Sequence, residues 1–128
     1  MIKIKHFKAL SETEMEIMEV LWTQENPIST TALLDYFNNE KQKVWKAQTL
    51  ATFLVRLVAK GLIISEHKGR GTVHSPAISL NEYDQLKASN VLNKMYKGSI
   101  KNFLAALYGD QKISNDEIAE LKKWLSER

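Results

Sequence analysis

The residues best suited to chemistry lie between positions 41 and 76, where seven Lys and Arg meet the single acid Glu66. Wound as a helix at about 100° per residue, the stretch 45–60 separates into two faces. Trp45, Gln48, Thr49, Thr52, Arg56 and Ala59 share one arc, and Ala47, Leu50, Ala51, Leu54, Leu57 and Val58 fall opposite. Gln pairs in bidentate fashion with adenine, Thr offers a hydroxyl and a methyl to base edges, and Arg reaches guanine or phosphate. Lys41, Lys43 and Lys46 crowd the start of this helix, where backbone N–H groups also favour anions. Further along, Lys68 and Arg70 alternate with Gly69 and Gly71 in a KGRG turn, which lets the backbone approach a phosphate or a minor groove. The chemistry implied is recognition of double-stranded DNA. An ordinary amphipathic surface helix also has a polar face, but this arc contains no acid, although Glu and Asp are common on solvated helices.

Catalysis finds little support. His6, His67 and His74 do not fall at ligand spacing with Asp or Glu, although a hairpin could bring His67 and His74 across from one another. Glu12, Glu16 and Glu19 repeat at helical spacing and form a solvated face. The chain has no cysteine, which excludes thiolate catalysis, a Cys metal site and disulfides, and it has neither a Walker loop nor a G-x-G-x-x-G. The expectation is a protein that is not an enzyme, with no metal and no cofactor. The N-terminus MIKIKHFKAL lacks a signal-peptide core, and no apolar run is long enough to span a bilayer, so the expected location is the cytoplasm without membrane insertion.

The elements that must position these residues are well punctuated. Ser11/Glu14, Ser79/Glu82 and Ser114/Glu117 have capping-box spacing, each with an apolar staple: Leu10 with Met15, Ile78 with Tyr83, Ile113 with Ile118. Ser29 follows Pro27 and caps without the Glu. Helices are expected at about 12–24, 30–38 and 45–60, the last stopped by Gly61. LIISEH and TVHS around KGRG read as a two-stranded hairpin ended by Pro76. Three helices and a hairpin make a winged helix-turn-helix. After Pro76 only helices follow, at about 80–97, 99–108 and 115–127. The fold class is therefore mainly α with a small β-hairpin, a winged helix-turn-helix domain (1–76) followed by a C-terminal helical domain (77–128). Fifty residues in three short helices fall below the size at which a core becomes self-sufficient, so a second copy of the chain is expected to complete it. Its homodimer interface is assigned to Tyr83, Leu86, Val91, Met95, Ile100, Phe103, Leu104, Leu107, Ile118, Leu121, Trp124 and Leu125.

LSETEMEIMEVLW (10–22), VWKAQTLATFLVRLVAKGLI (44–63) and LNKMYKGS (92–99) give the chain a marked character. From Leu10 to Leu125 it resembles the penicillinase-repressor family of bacterial winged-helix regulators, which includes β-lactamase, methicillin-resistance and copper-operon repressors. The resemblance implies a dimeric repressor on a palindromic operator with TACA/TGTA-like half-sites, controlling a β-lactam-resistance or related stress operon. It places recognition contacts on Lys46, Gln48, Thr49 and Thr52, with Arg56 behind them; the residues themselves add Lys43, Trp45, Lys68 and Arg70. Where many members have Ser-Pro-Lys-Thr, this chain has Lys46-Ala47-Gln48-Thr49, which points to a different operator preference. The C-x-C motifs of copper-responsive members are absent. In resistance regulators a membrane sensor system leads to cleavage of an Asn-Phe bond; its register falls on Ala106-Leu107 here, and Asn102-Phe103 lies four residues earlier. The competing reading is a winged helix used for protein–protein contact, which the fold alone does not separate from DNA binding.

Overall fold

In the computed structural model, residues 8–128 are described. His6, Lys3 and Lys5 lie outside the described residues. Helix α1 (Glu12–Trp22) is followed by a short strand β1 (Ile28–Ser29), helices α2 (Thr30–Asn39) and α3 (Ala47–Ala59), strands β2 (Ile63–Lys68) and β3 (Gly71–Pro76), and helices α4 (Leu80–Tyr96), α5 (Ile100–Gly109) and α6 (Asn115–Ser126). Two compact units result, one running to Lys87 and one spanning Ala88–Arg128.

The helix starts follow their serines. Ser11 accepts from the Glu14 N–H while Glu14 accepts from the Ser11 N–H, and the same reciprocal bonds join Ser79 with Glu82 and Ser114 with Glu117. Ser29 caps α2 through the Ala32 N–H, and Ser99 caps α5 through the Asn102 N–H. Helix α1 stops at Trp22, two residues short of the expected end, because the Thr23 hydroxyl and N–H close back onto the Val20 carbonyl.

The core of the first unit joins Ile17, Met18 and Leu21 of α1, Leu33 and Phe37 of α2, Leu50, Leu54 and Leu57 of α3, and Leu62, Ile63 and Ile78. Tyr83 is also part of it, 3% exposed, with its ring 5.6 Å from that of Trp22. The Trp22 indole N–H donates to the Ile78 carbonyl at 3.0 Å. Leu86 packs against the same cluster. The winged-helix unit thus continues past Pro76 through the first turns of α4, and Tyr83 and Leu86 belong to its core rather than to a dimer face. Pro76 ends a strand without ending the unit, since Ile78 and Tyr83 still find apolar cover on α1.

The expected hairpin is one part of a three-stranded antiparallel sheet ordered β1-β3-β2. Ile28 pairs with His74 and Ser29 with Val73, so the residues leading into α2 add a third strand on the far side of β3. Two residues are too few for a period-2 pattern to be visible. On the other side Ser65 faces His74 and His67 faces Thr72. The two histidines are therefore not cross-strand partners. Lys68 pairs with Gly71 around a two-residue turn in which Gly69 takes φ +65°, the left-handed value that such a tight turn requires.

Among the described residues no helix is long and apolar enough to cross a membrane, and no cluster of three or more His, Asp or Glu could hold a metal ion.

Candidate nucleic-acid interface

Helix α3 is oriented by its connection to α2. The Asn38 side chain brackets Trp45, accepting from its N–H at 2.9 Å and donating to its carbonyl at 3.0 Å. Gln42 takes φ 57°, and the Lys43 N–H donates to the Phe37 carbonyl at 3.0 Å, which completes the turn. The Trp45 ring stacks between Phe37 (4.7 Å) and Phe53 (5.8 Å). Helix α3 accordingly begins at Ala47, two residues later than expected, because the backbone of Trp45 is held by Asn38 instead of by a helical turn. Trp45 is thereby a packing residue that anchors the helix, and it lies outside the helical arc to which the sequence assigned it.

Lys46, Gln48, Thr49, Thr52 and Arg56 are all exposed on α3 or at its start. Lys46 is the N-cap and supplies no side-chain bond to the helix, in contrast to the five serine-capped helices. The first turn therefore presents N–H groups that no side-chain oxygen occupies. The Thr52 hydroxyl donates to the Gln48 carbonyl at 3.0 Å, which leaves its lone pairs and methyl outward. The Arg56 guanidinium lies 5.8 Å from the Phe53 ring centre, on the flank of the helix. Lys68 and Arg70 are exposed at the tip of the β2–β3 turn.

Lys43 differs from expectation. Its ammonium is 3.3 Å from a Glu16 carboxylate oxygen and 5.8 Å from the Trp45 ring centre, so it ties the turn to α1. Among the described residues the other ion pair is Lys60–Glu14 at 2.9 Å; Lys46, Arg56, Lys68 and Arg70 form none.

The packed seam of α3 is narrower than its sequence suggests. Leu50, Leu54 and Leu57 are buried and Phe53 is half-buried, whereas Ala47, Ala51 and Val58 face outward. Val55, 67% exposed, stands near the centre of the outward arc. The sequence carried the signal for it, since Val55 lies seven residues, two helical turns, from Gln48. Asn38 had no such signal, because its partners are backbone atoms of a turn.

Two acid–base groups brace the unit behind this surface. Glu14, 4% exposed, meets the Lys60 ammonium through both carboxylate oxygens at 2.9 Å. Burial opposes its charge, but the Ser11 N–H and hydroxyl and Lys60 outweigh it and hold the carboxyl below its ordinary 4.5. His74, 4% exposed, has Nε2 2.7 Å from the Thr30 hydroxyl and Nδ1 2.7 Å from the Ser65 hydroxyl. Burial alone pushes its pKa below 6.5. With both ring nitrogens engaged inside the sheet, His74 is no metal partner for the exposed His67.

In the second unit α5 and α6 contain no buried residue. Phe103 packs edge-on against Tyr96 at 5.1 Å, and Phe103, Leu104, Leu107, Ile118 and Leu121 are half-buried. Val91, Met95, Ile100, Trp124 and Leu125 are exposed, Met95 by 72% and Leu125 by 60%.

This arrangement can be compared with known proteins. The penicillinase repressor family model matches residues 10–127. The chain belongs to the penicillinase-repressor family. It is 29% identical over 124 residues to the penicillinase repressor of Bacillus licheniformis, covering 97% of this chain and 94% of that one. It is 24% identical over 119 residues to the methicillin resistance regulatory protein MecI of Staphylococcus aureus, covering 93% and 94%. The solution structure of the DNA binding domain of the repressor BlaI matches with a TM-score of 0.52 and 31% identity, over 65% of this chain and 94% of that one. The penicillinase-repressor family and its winged-helix fold are those of transcriptional repressors, not of enzymes.

Proposed function

We propose that this penicillinase-repressor homologue acts as a homodimer that occupies a palindromic operator, with α3 in the major groove and the β2–β3 turn on the flanking backbone. The observation that carries the reading is the outward face of α3: it holds no acid, its N-terminus is uncapped, and its bordering cations Lys46, Arg56, Lys68 and Arg70 are outside the ion pairs of the unit. Gln48, Thr49 and Thr52 supply base contacts, and Lys46, Arg56, Lys68 and Arg70 bind phosphates or flanking edges. The matching unit of the BlaI structure is described as a DNA binding domain, which supports the same assignment.

Dimerisation is assigned to the second unit, where helices with apolar stripes bury no side chain fully. Forty-one residues cannot enclose a core of their own, and a second copy covers what is exposed. Two half-sites about 34–36 Å apart, or a multiple of that, would then be engaged together. Derepression follows from any event that separates or reorients the second units. A membrane sensor with a protease is the partner suggested by the family. Asn102-Phe103 and Ala106-Leu107 both lie within α5, so cleavage at either would require that helix to open first.

The test is fluorescence anisotropy of full-length protein on a TACA/TGTA-type palindrome and on a scrambled duplex at two salt concentrations, with sedimentation in parallel. The reading expects a preference of about 10³ or more for a specific duplex and a steep loss with salt. A dimer that binds neither this palindrome nor any duplex enriched from random DNA would instead support the protein-contact reading of the wing.

A further inference from the structure

The outward arc of α3 is divided lengthwise. Taking Gln48 as the centre line, the helical spacing sets Thr52, Arg56 and Thr49 on one side, all able to hydrogen-bond. Val55 lies close to the centre line on the other side, with Ala51 beside it and Val58 further round. Val55 and Val58 are 67% and 45% exposed, on a helix whose core side is already filled by Leu50, Leu54 and Leu57. Burial does not explain Val55, and neither does helix propensity, since β-branched residues are mediocre helix formers.

We propose that Val55 is a specificity-determining residue that packs against the 5-methyl group of a thymine in the major groove. The proposal rests on the DNA-binding reading above. The thymine methyl is the one apolar feature of base-pair edges in that groove, and an exposed branched aliphatic chain is its natural complement. Charge selects nucleic acid over an apolar protein surface as the occupant: no acid lies on the arc, and Lys46 and Arg56 on the same helix are unpaired by carboxylates. Along α3, Val55 stands about 10 Å from Gln48, which is about three base-pair steps. A half-site is therefore expected to hold an adenine read by Gln48 and, about three steps away, a thymine read by Val55. Ala51 lies between them and is too short to replace that contact.

The experiment starts from a duplex enriched from randomised DNA by the full-length protein, in which each thymidine is replaced singly by deoxyuridine. This removes one methyl group and changes no hydrogen bond. Wild type is expected to lose about fourfold in affinity at one position per half-site, the worth of one buried methyl. Val55→Ala, an exposed change to a better helix former, is expected to bind the thymidine and deoxyuridine duplexes alike at that position while keeping its other base preferences. Equal binding of all deoxyuridine duplexes by wild type overturns the proposal and leaves DNA binding intact. A deoxyuridine penalty that survives in Val55→Ala assigns the methyl contact to another residue and also overturns it. Failure to enrich any duplex overturns both this proposal and the DNA-binding reading on which it rests.

Discussion

Gln48, Thr49 and Thr52 are exposed and carry no structural burden beyond the Thr52 back-bond to the Gln48 carbonyl. Replacing any of them by Ala is expected to cost about 1–3 kcal/mol on a specific duplex and little on a random one, measured by anisotropy. Loss of Lys68 or Arg70 should weaken all sequences alike and lower the salt slope by about one each. His74 gives a pH prediction. Burial lowers its pKa in the folded chain, so its neutral form stabilises the fold fully above the ordinary 6.5. That contribution declines as pH falls below 6.5 towards the lowered folded value. Urea midpoints between pH 7.5 and 5.5 should therefore drop for wild type, and the drop should be smaller for His74→Gln.

Among the elements, α3 depends on supports outside itself. Asn38→Ala removes both bonds that hold the Trp45 backbone, and about 2 kcal/mol of stability is expected to go with them. The same variant should bind specific DNA less well than its stability loss explains, because the helix start is freed to move. Glu14 links α1 to the end of α3 through Lys60. Lys60→Met strands a buried carboxylate and is expected to cost about 3 kcal/mol at neutral pH, near the lower end for buried pairs because Lys60 remains partly in water. The folded pKa of Glu14 lies below 4.5, so the pair contributes above that value and is lost as pH falls through the folded pKa. The gap between variant and wild type should therefore narrow as the solution is made acidic, which chemical denaturation at successive pH values below 7 would show. Most of these elements were legible in advance: four of six helix starts carry a serine whose capping role follows from spacing alone, and the structure adds a fifth, Ser99 at the start of α5. The start of α3 was not legible, because Asn38 caps a turn by reaching forward seven residues.

For the whole molecule, the proposed function assigns DNA to the unit ending at Lys87 and dimerisation to the unit Ala88–Arg128. Leu125→Asp changes a residue that is 60% exposed in the unit Ala88–Arg128, so the unit itself should keep its helicity. The variant is expected to sediment as a monomer at micromolar concentration and to lose about 10²-fold or more on a palindrome, with little change on a half-site. An unchanged dimer would place the contact elsewhere. Tyr83 and Leu86 are a contrast: they read as members of the same apolar stripe, yet they cover the core of the winged-helix unit. Periodicity reports which residues seek cover and is silent about which neighbour supplies it.

Alone, the sequence determined the local features of this protein. Serine caps, three of them with a glutamate at capping-box spacing, set the starts of α1, α2, α4 and α6, Gly61 and the KGRG turn set the end of α3 and the wing, and residue spacing gives α3 its acid-free arc. These depend on residues within about one helical turn of each other, where spacing is geometry. Tertiary structure decided what depends on distant partners. It added β1 to the sheet, enclosed His74 between two hydroxyls, tied Lys43 to Glu16 and Trp45 to Phe37 and Phe53, and joined Glu14 to Lys60. Each of these is a contact between segments whose separation in sequence carries no information about their distance in space, so only the packed chain could place them.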